Sequence, residues 1–141
     1  PVVSMKYLIA QEISGVLNKK LKKIIVIVSI IIAILGSTIG PIVVSNIFPK
    51  FIESENVIRI ISWAVIPLTI QSTFYFPKFW AHDKSRLILF TSIIVVITQI
   101  SGILILGPVY ESIGIALSFL MSGIIGCIFA GIVNKFLVKN V

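Results

Sequence analysis

Charge is what this sequence has least of. Its 141 residues include 12 Lys and Arg and 5 Asp and Glu, which is about half the charge density of an ordinary soluble domain. It has one cysteine, Cys127, and one histidine, His82. A single cysteine excludes an intramolecular disulfide, and so few potential ligands leave no His/Cys cluster or carboxylate cage for a metal. Catalytic signatures such as Gly-x-Ser-x-Gly and glycine-rich phosphate loops are also absent, so we expect no metal, no other cofactor and no enzymatic activity.

The uncharged residues are grouped in four long windows. No Asp, Glu, Lys or Arg occurs at 24–49, 60–77, 87–110 or 112–134, and 57% of the chain is apolar. Because a bilayer core about 30 Å thick needs about 20 apolar residues in a helix, each window meets or approaches the length of one crossing. The windows lack the polar face of a soluble helix and the strict alternation of a membrane β-strand, and a signal peptide has one apolar run. The sequence therefore predicts an all-α polytopic membrane protein. Its four transmembrane helices are predicted at about 24–47, 57–80, 87–106 and 113–133.

The first 23 residues have a different pattern. Apolar side chains recur at three- and four-residue spacing from Met5 to Leu21, and polar residues such as Glu12 and Lys19 fill the remaining arc. This favours an amphipathic interfacial helix over 1–23, before a four-helix transmembrane portion over 24–141. A cytoplasmic connector with a solvated polar face is equally compatible with the pattern. Because the chain begins with proline rather than methionine, we expect it to be part of a larger protein.

The basic residues are distributed unevenly between the two sides of the predicted bundle. Four crossings put both termini on one side, and every basic residue except Lys50 and Arg59 falls on that side. The positive-inside rule then predicts cytoplasmic termini in a multi-pass protein of the cytoplasmic membrane. The same distribution explains the net charge of +7 by topology and anionic lipid headgroups. We therefore expect the lipid bilayer, and not nucleic acid, as a partner.

Small residues recur along the first and fourth predicted helices. In lipid there is little hydrophobic drive between helices, so close contact through small side chains becomes the main way of holding a bundle together. Rows of such residues at four-residue spacing predict tight packing, and their extent favours a larger bundle, either oligomeric or covalently continuous. The predicted packing positions are Gly36, Gly40, Gly114, Ser118, Ser122 and Gly126.

Polar and aromatic residues form one stripe on the second predicted helix. Arg59, Trp63, Gln71 and Tyr75 are spaced by multiples of four, and Gln99 adds a second amide on the third helix. The functional interpretation is a substrate-binding, cavity-lining face: amides bond sugar hydroxyls, aromatic rings stack on sugars, and cations meet phosphate. The structural interpretation is that each glutamine bonds a neighbouring helix while Trp63 and Arg59 anchor at the interface. Both remain open from the sequence.

Two prolines fall inside predicted helices. Pro41 and Pro67 each remove a backbone hydrogen bond, so we expect bends there, and such bends serve as hinges in some transporters. No ionisable residue lies near the middle of a predicted span, which argues against a proton relay in this chain.

Several short stretches at helix ends have a recognisable pattern. The stretches are Pro1-Val2-Val3-Ser4, Phe48-Pro49-Lys50-Phe51 with Val57-Ile58-Arg59-Ile60, Phe79-Trp80-Ala81-His82-Asp83-Lys84-Ser85-Arg86, and Leu106-Gly107-Pro108-Val109-Tyr110 with Ile113-Gly114-Ile115-Ala116. They resemble the carboxy-terminal portion of polysaccharide biosynthesis proteins in the multidrug/oligosaccharidyl-lipid/polysaccharide flippase superfamily, of the O-antigen and teichoic-acid export type. Two positions depart from the family pattern: Asp83 replaces a glycine in the cytoplasmic turn, and Glu111-Ser112 replaces the glycine after Tyr110 and lengthens that turn by about one residue.

The resemblance implies a two-lobe helical transporter in which this chain supplies the last four helices. It implies a lipid-linked oligosaccharide as substrate, turned from the inner to the outer leaflet by alternating access, and helices that precede this chain as partners in the same protein. Two other functions stay open. One is a drug/cation antiporter of the same superfamily, disfavoured because these helices carry no buried acid, and the other is a small four-span structural or assembly subunit.

Overall fold

The computed structural model describes residues 19–47 and 54–139, and these two ranges are helical with no strand. The predicted all-α fold is therefore confirmed for the described residues. Residues 19–23 belong to the first helix, while the rest of the predicted interfacial segment, 1–18, lies outside the described residues. The elements are α1 (Lys19–Ile47), α2 (Glu55–Ile70), a π-helical turn (Gln71–Tyr75), α3 (Phe76–Ala81) and α4 (Ser85–Lys139).

Three helical stretches are long and apolar enough to cross a membrane. They are Lys20–Ile47, Glu55–Ala81 and Ser85–Phe136. The first two agree closely with the predicted helices at 24–47 and 57–80. The third contains both of the remaining predicted helices and has 52 residues, which would span about 78 Å if straight, more than twice the thickness of a bilayer core.

Helix α4 is not straight, because it reverses direction at Glu111. The backbone there has φ 48° and ψ −126°, and residues 102 and 118 would lie about 24 Å apart in one continuous helix. Instead, a Cβ on Gly102 would lie 2.8 Å from the Cβ of Ser118, and Gly114 lies against the carbonyl oxygen of Leu106. We call 85–110 the first limb and 112–139 the second limb of α4; the two run antiparallel.

The conformation of Glu111 predicts a stabilising substitution. Its φ and ψ are close to the first central position of a type II′ turn, which glycine strongly prefers because a β-carbon is strained there. We expect Glu111→Gly to raise the free energy of unfolding of the detergent-solubilised protein by about 1–2 kcal/mol. Glu111→Ala is the matched control, because it removes the carboxylate and keeps the β-carbon. If both variants shift stability equally, charge and not backbone strain is responsible.

The turn between α3 and α4 has a second residue with positive φ. Asp83 has φ 57°, and two bonds close the end of α3: Lys84 N donates to Phe79 O at 2.8 Å, and Asp83 N donates to Trp80 O at 3.1 Å. This bond pattern is a Schellman motif, in which the residue at the position of Asp83 is most often glycine. The reversal from α3 to α4 therefore takes only three residues, 82–84.

The π-helical turn has an evident cause in Pro77. Proline has no N–H, and in an α-helix its ring would collide with the carbonyl of Thr73 four residues earlier. The chain avoids this by widening its helix, and the N–H of Phe76 bonds to the oxygen of Gln71 five residues earlier. Helix α2 therefore continues into α3 through one widened turn, and the three elements form a single rod from Glu55 to Ala81.

This rod is the centre of the bundle, with α1 on one side and α4 on the other. Helix α1 runs antiparallel to it, because Gly36 faces Ser62 and Gly40 faces Ile58. The second limb of α4 runs parallel to it, because Gly123 faces Pro67 and Gly131 faces Tyr75. Extensive contact between α1 and α4 is absent from the described parts of the chain, so α1 is held by the central rod.

Buried and exposed residues are distributed in the opposite way to those of a soluble protein. Apart from Phe79, the buried side chains of the described residues are small or polar, such as Ala64 and Thr91 with 0% exposure, whereas Leu104 and Ile105 on the outer face are 70% and 69% exposed. A soluble domain buries its large aliphatic residues, and a helix bundle in lipid packs through small ones. This distribution, together with the three long apolar stretches, is compatible with a membrane protein.

Candidate functional site

The predicted polar stripe does not line one cavity. Arg59 is exposed near the start of α2 and Trp63, one turn further on, is 45% exposed on the outside of the bundle. Gln71 is buried, with 4% exposure, and Tyr75 and Gln99 are half-buried. The first half of the stripe, Arg59 and Trp63, is therefore exposed, and only the second half, Gln71 and Tyr75, faces other helices of the described chain.

Gln71 joins the central rod to the second limb of α4. Its Nε2 donates a hydrogen bond to the carbonyl oxygen of Gly123 at 2.8 Å. Gly126 lies beside the same amide, since a Cβ at Gly126 would be 3.0 Å from Gln71 Nε2. The bond links residues in a buried interface where the π-helical turn begins, and interhelical amide bonds of this kind contribute about 0.6 kcal/mol in membrane proteins. Gln71 thus has a packing partner, as the structural interpretation requires.

Tyr75 and Gln99 have different neighbours. The hydroxyl of Tyr75 lies near Gly131, 3.1 Å from the position a Cβ would take there. Gln99 lies on the first limb of α4, and no side-chain hydrogen bond between it and Gln71 is present in the described residues. The two amides therefore do not satisfy each other in this structure.

The predicted packing positions all lie at contacts inside the chain. Gly36 and Gly40 face the central rod, where a Cβ on either would lie 2.7 Å from the nearest side-chain atom, Ser62 Oγ and Ile58 Cγ2 respectively. On the second limb, Ser118 and Ser122 are buried with 1% exposure. Gly114 meets the first limb and Gly126 meets both Val95 and Gln71. These rows thus have neighbours within the described chain.

The predicted hinges differ in their surroundings. Pro41 lies within α1, which stays helical to Ile47, and Pro67 lies within α2 with its ring against Gly123. The departure from α-helical geometry occurs after Pro67, in the π-helical turn that precedes Pro77. Sequence reasoning identified Pro67 and missed Pro77, although a second proline ten residues later in the same apolar window was an available signal.

The two ends of the described bundle carry opposite charge. The antiparallel and parallel contacts above bring the start of α1, the end of α3, the start of α4 and the end of the second limb to one end. The other end carries Glu55, Arg59 and Glu111. The described basic side chains at the first end are Lys20, Lys22, Lys23, Lys78, Lys84, Arg86 and Lys135.

A cleft opens between α1 and the central rod at the basic end. Its volume is about 750 Å³, within the range of pockets that bind small molecules. Lys22 Nζ lies 5.9 Å from the centre of the Phe74 ring, a cation–π distance. We call this the basic cleft. Its lining residues are Lys22, Lys23, Val26, Ile27, Ile70, Phe74, Tyr75 and Lys78.

Sequence reasoning missed the basic cleft because its two walls come from different helices. The sequence pattern explains the lysines of α1 by membrane topology, and it does not distinguish Phe74 from the other apolar residues of its window. Lys22 and Phe74 are far apart in sequence, and their contact depends on the antiparallel register that Gly36 and Gly40 set. A second cavity of about 650 Å³ lies beside Trp80 and Arg86 on the outer face of the first limb, and its wall is mostly aliphatic.

Comparison of the chain with known protein families, with curated proteins and with solved structures finds no match.

Proposed function

We propose that this chain is the C-terminal part of a membrane transporter that flips a lipid-linked oligosaccharide across the cytoplasmic membrane. One observation carries the proposal. The residues with positive φ among the described non-glycine residues are Asp83 and Glu111, and these are the two sites where the resembled flippases have glycine. Positive φ favours glycine, so at both positions the backbone has a conformation that suits the glycine of the resembled pattern, although the chain carries Asp83 and Glu111 there. This agreement is independent of the apolar composition, which many membrane proteins share.

The proposal includes four membrane crossings with both termini in the cytoplasm. Support comes from the antiparallel limbs of α4 and from the basic end, which by the positive-inside rule belongs in the cytoplasm. Residues 54–56 and 111 then face outward. In the whole protein, earlier helices of the same chain complete the second lobe and supply the other lobe, between which the glycan headgroup passes.

Sidedness can be measured with single cysteines in a Cys127→Ser background. A membrane-impermeant maleimide added to intact cells should label Asn56→Cys and Glu111→Cys but not Ser85→Cys, which should react only after the membrane is opened. Asn56, Glu111 and Ser85 are all exposed, so access and not burial decides the result. Labelling of Glu111→Cys from the same side as Ser85→Cys would rule out four crossings.

The central rod supports a transport function more than a purely structural one. A π-helical turn inside an α-helix is rare, and such turns are frequent at functional sites. Here the turn begins at Gln71 and ends at Tyr75, two residues before Pro77, and it separates the two halves of the rod. In the proposed mechanism, this turn lets the end of the rod that bears Lys78 change its angle during alternating access.

Transport can be measured with the intact protein in vesicles that contain a fluorescent polyprenyl-diphosphate oligosaccharide. We expect the protein to expose inner-leaflet label to an external quencher faster than protein-free vesicles do. Gln71→Leu keeps the side-chain volume and removes the bond to Gly123, and we expect it to lower the rate roughly threefold at equal protein abundance. An unchanged rate would assign Gln71 to packing alone. Uptake of a cationic drug without lipid flipping would support the antiporter, and no transport of either would support the structural subunit.

A further inference from the structure

We propose that the basic cleft is a binding site for one anionic phospholipid, with the phosphate between Lys23 and Lys78 and an acyl chain along Val26, Ile27 and Ile70. The site requires only that the chain lies in a membrane, so it does not rest on the flippase proposal. Its occupant is a structural lipid taken from the leaflet at the basic end.

The charges around the cleft fit a phosphate headgroup. Lys23 is exposed on α1 and Lys78 is half-buried on α3, so their ammonium groups come from opposite walls. The described lining residues include no carboxylate. A lipid phosphate between the two walls accepts hydrogen bonds from both lysines and offsets the repulsion between them. Lys22 stands behind them with 4% exposure, its ammonium held over Phe74.

The shape of the cleft favours a lipid over a soluble anion. Val26, Ile27 and Ile70 form an apolar floor below the lysines. Ile27 is 46% exposed, and its neighbours on the outer face of α1 are exposed as well, Ile30 by 37% and Ile31 by 49%. An acyl chain bound below the headgroup covers this surface, whereas a free phosphate leaves it bare. The cleft is therefore charged at the membrane surface and apolar toward the membrane centre, as a phospholipid is.

The test is retention of lipid by the intact protein in detergent, measured by native mass spectrometry with phosphatidylglycerol and phosphatidylcholine as probes. We expect one phosphatidylglycerol to be retained in preference to phosphatidylcholine. Lys23→Gln with Lys78→Gln should weaken its binding roughly 30-fold, since each lysine beside an anionic headgroup contributes about a fivefold change. Lys23→Arg with Lys78→Arg should keep it. The matched control is Lys20→Gln with Lys84→Gln, which removes the same charge from exposed positions at the same end but outside the cleft.

The control and the probes separate this site from weaker explanations. Equal loss of binding in the cleft and control variants would mean diffuse attraction to the basic end and would overturn the proposal. Equal retention of phosphatidylcholine, or displacement by excess inorganic phosphate, would overturn it too. If the double variant misfolds, the single change at exposed Lys23 still tests the site, with an expected loss of about fivefold.

Discussion

Among glycine-to-alanine substitutions at the glycines described above, Gly114→Ala should destabilise this protein most. A Cβ at Gly114 would overlap the carbonyl oxygen of Leu106 and lie 2.5 Å from its carbonyl carbon and 3.0 Å from Gly107 N. All three are backbone atoms, so no rotamer change can make room and the limbs of α4 must separate. We expect the free energy of unfolding, measured by denaturant titration in detergent micelles, to fall by about 3 kcal/mol.

The same helix offers a matched control for Gly114→Ala. A Cβ at Gly107 would meet only Ile103 Cγ2, at 3.9 Å, which is ordinary van der Waals contact. Gly107→Ala should therefore leave stability unchanged or raise it by up to about 1 kcal/mol through helix propensity. If Gly114→Ala behaves like Gly107→Ala, the limbs do not meet at Leu106 and α4 is not the hairpin described here. Gly102→Ala should lower the free energy of unfolding by an amount between those of the other two variants, because the two nearest atoms belong to the Ser118 side chain and not to the backbone.

The helices could be predicted from the sequence because charge exclusion from lipid is strict. Charged residues bound each apolar window, with Glu111 between the last two, and the helix ends fall within a few residues of those charges. The break inside α4 was predicted as a loop between 106 and 113, but the helix runs on to residue 110 and resumes at 112. The reason is that one residue with positive φ, Glu111, is sufficient for the reversal, and no composition signal distinguishes a one-residue turn from a short loop.

The candidate site was less predictable, because periodicity gives the face of a helix and not its neighbour. The four-residue spacing of the stripe correctly groups Gln71 and Tyr75 on a face that packs, and both meet glycines of the second limb. It also groups Arg59 and Trp63 with them, although these two side chains are exposed. The basic cleft depends on the register between α1 and the central rod, which a single sequence does not give.

The register of α1 against the central rod depends on Gly36 and Gly40, and replacing both should detach α1 from the rod. Gly36 and Gly40 are the close contacts of α1 with Ser62 and Ile58, and α1 has no other extensive partner in the described chain. Leucine at both positions would force the axes apart along the whole interface. We expect Gly36→Leu with Gly40→Leu to lower the free energy of unfolding by more than about 3 kcal/mol and to abolish selective retention of phosphatidylglycerol, because one wall of the basic cleft moves away from the other.

The control for this pair is Thr38→Leu, which adds the same kind of side chain on the exposed face of the same helix. Thr38 bonds only backbone carbonyls of its own helix, at Ile34 and Leu35, so its replacement should leave both stability and lipid retention unchanged. If the double variant loses stability but still retains phosphatidylglycerol selectively, the basic cleft does not depend on the register of α1. The lysines of α1 form a site with Phe74 and Lys78 only if Gly36 and Gly40 hold α1 close to the central rod. We therefore expect the double variant to lose stability and selective lipid retention together.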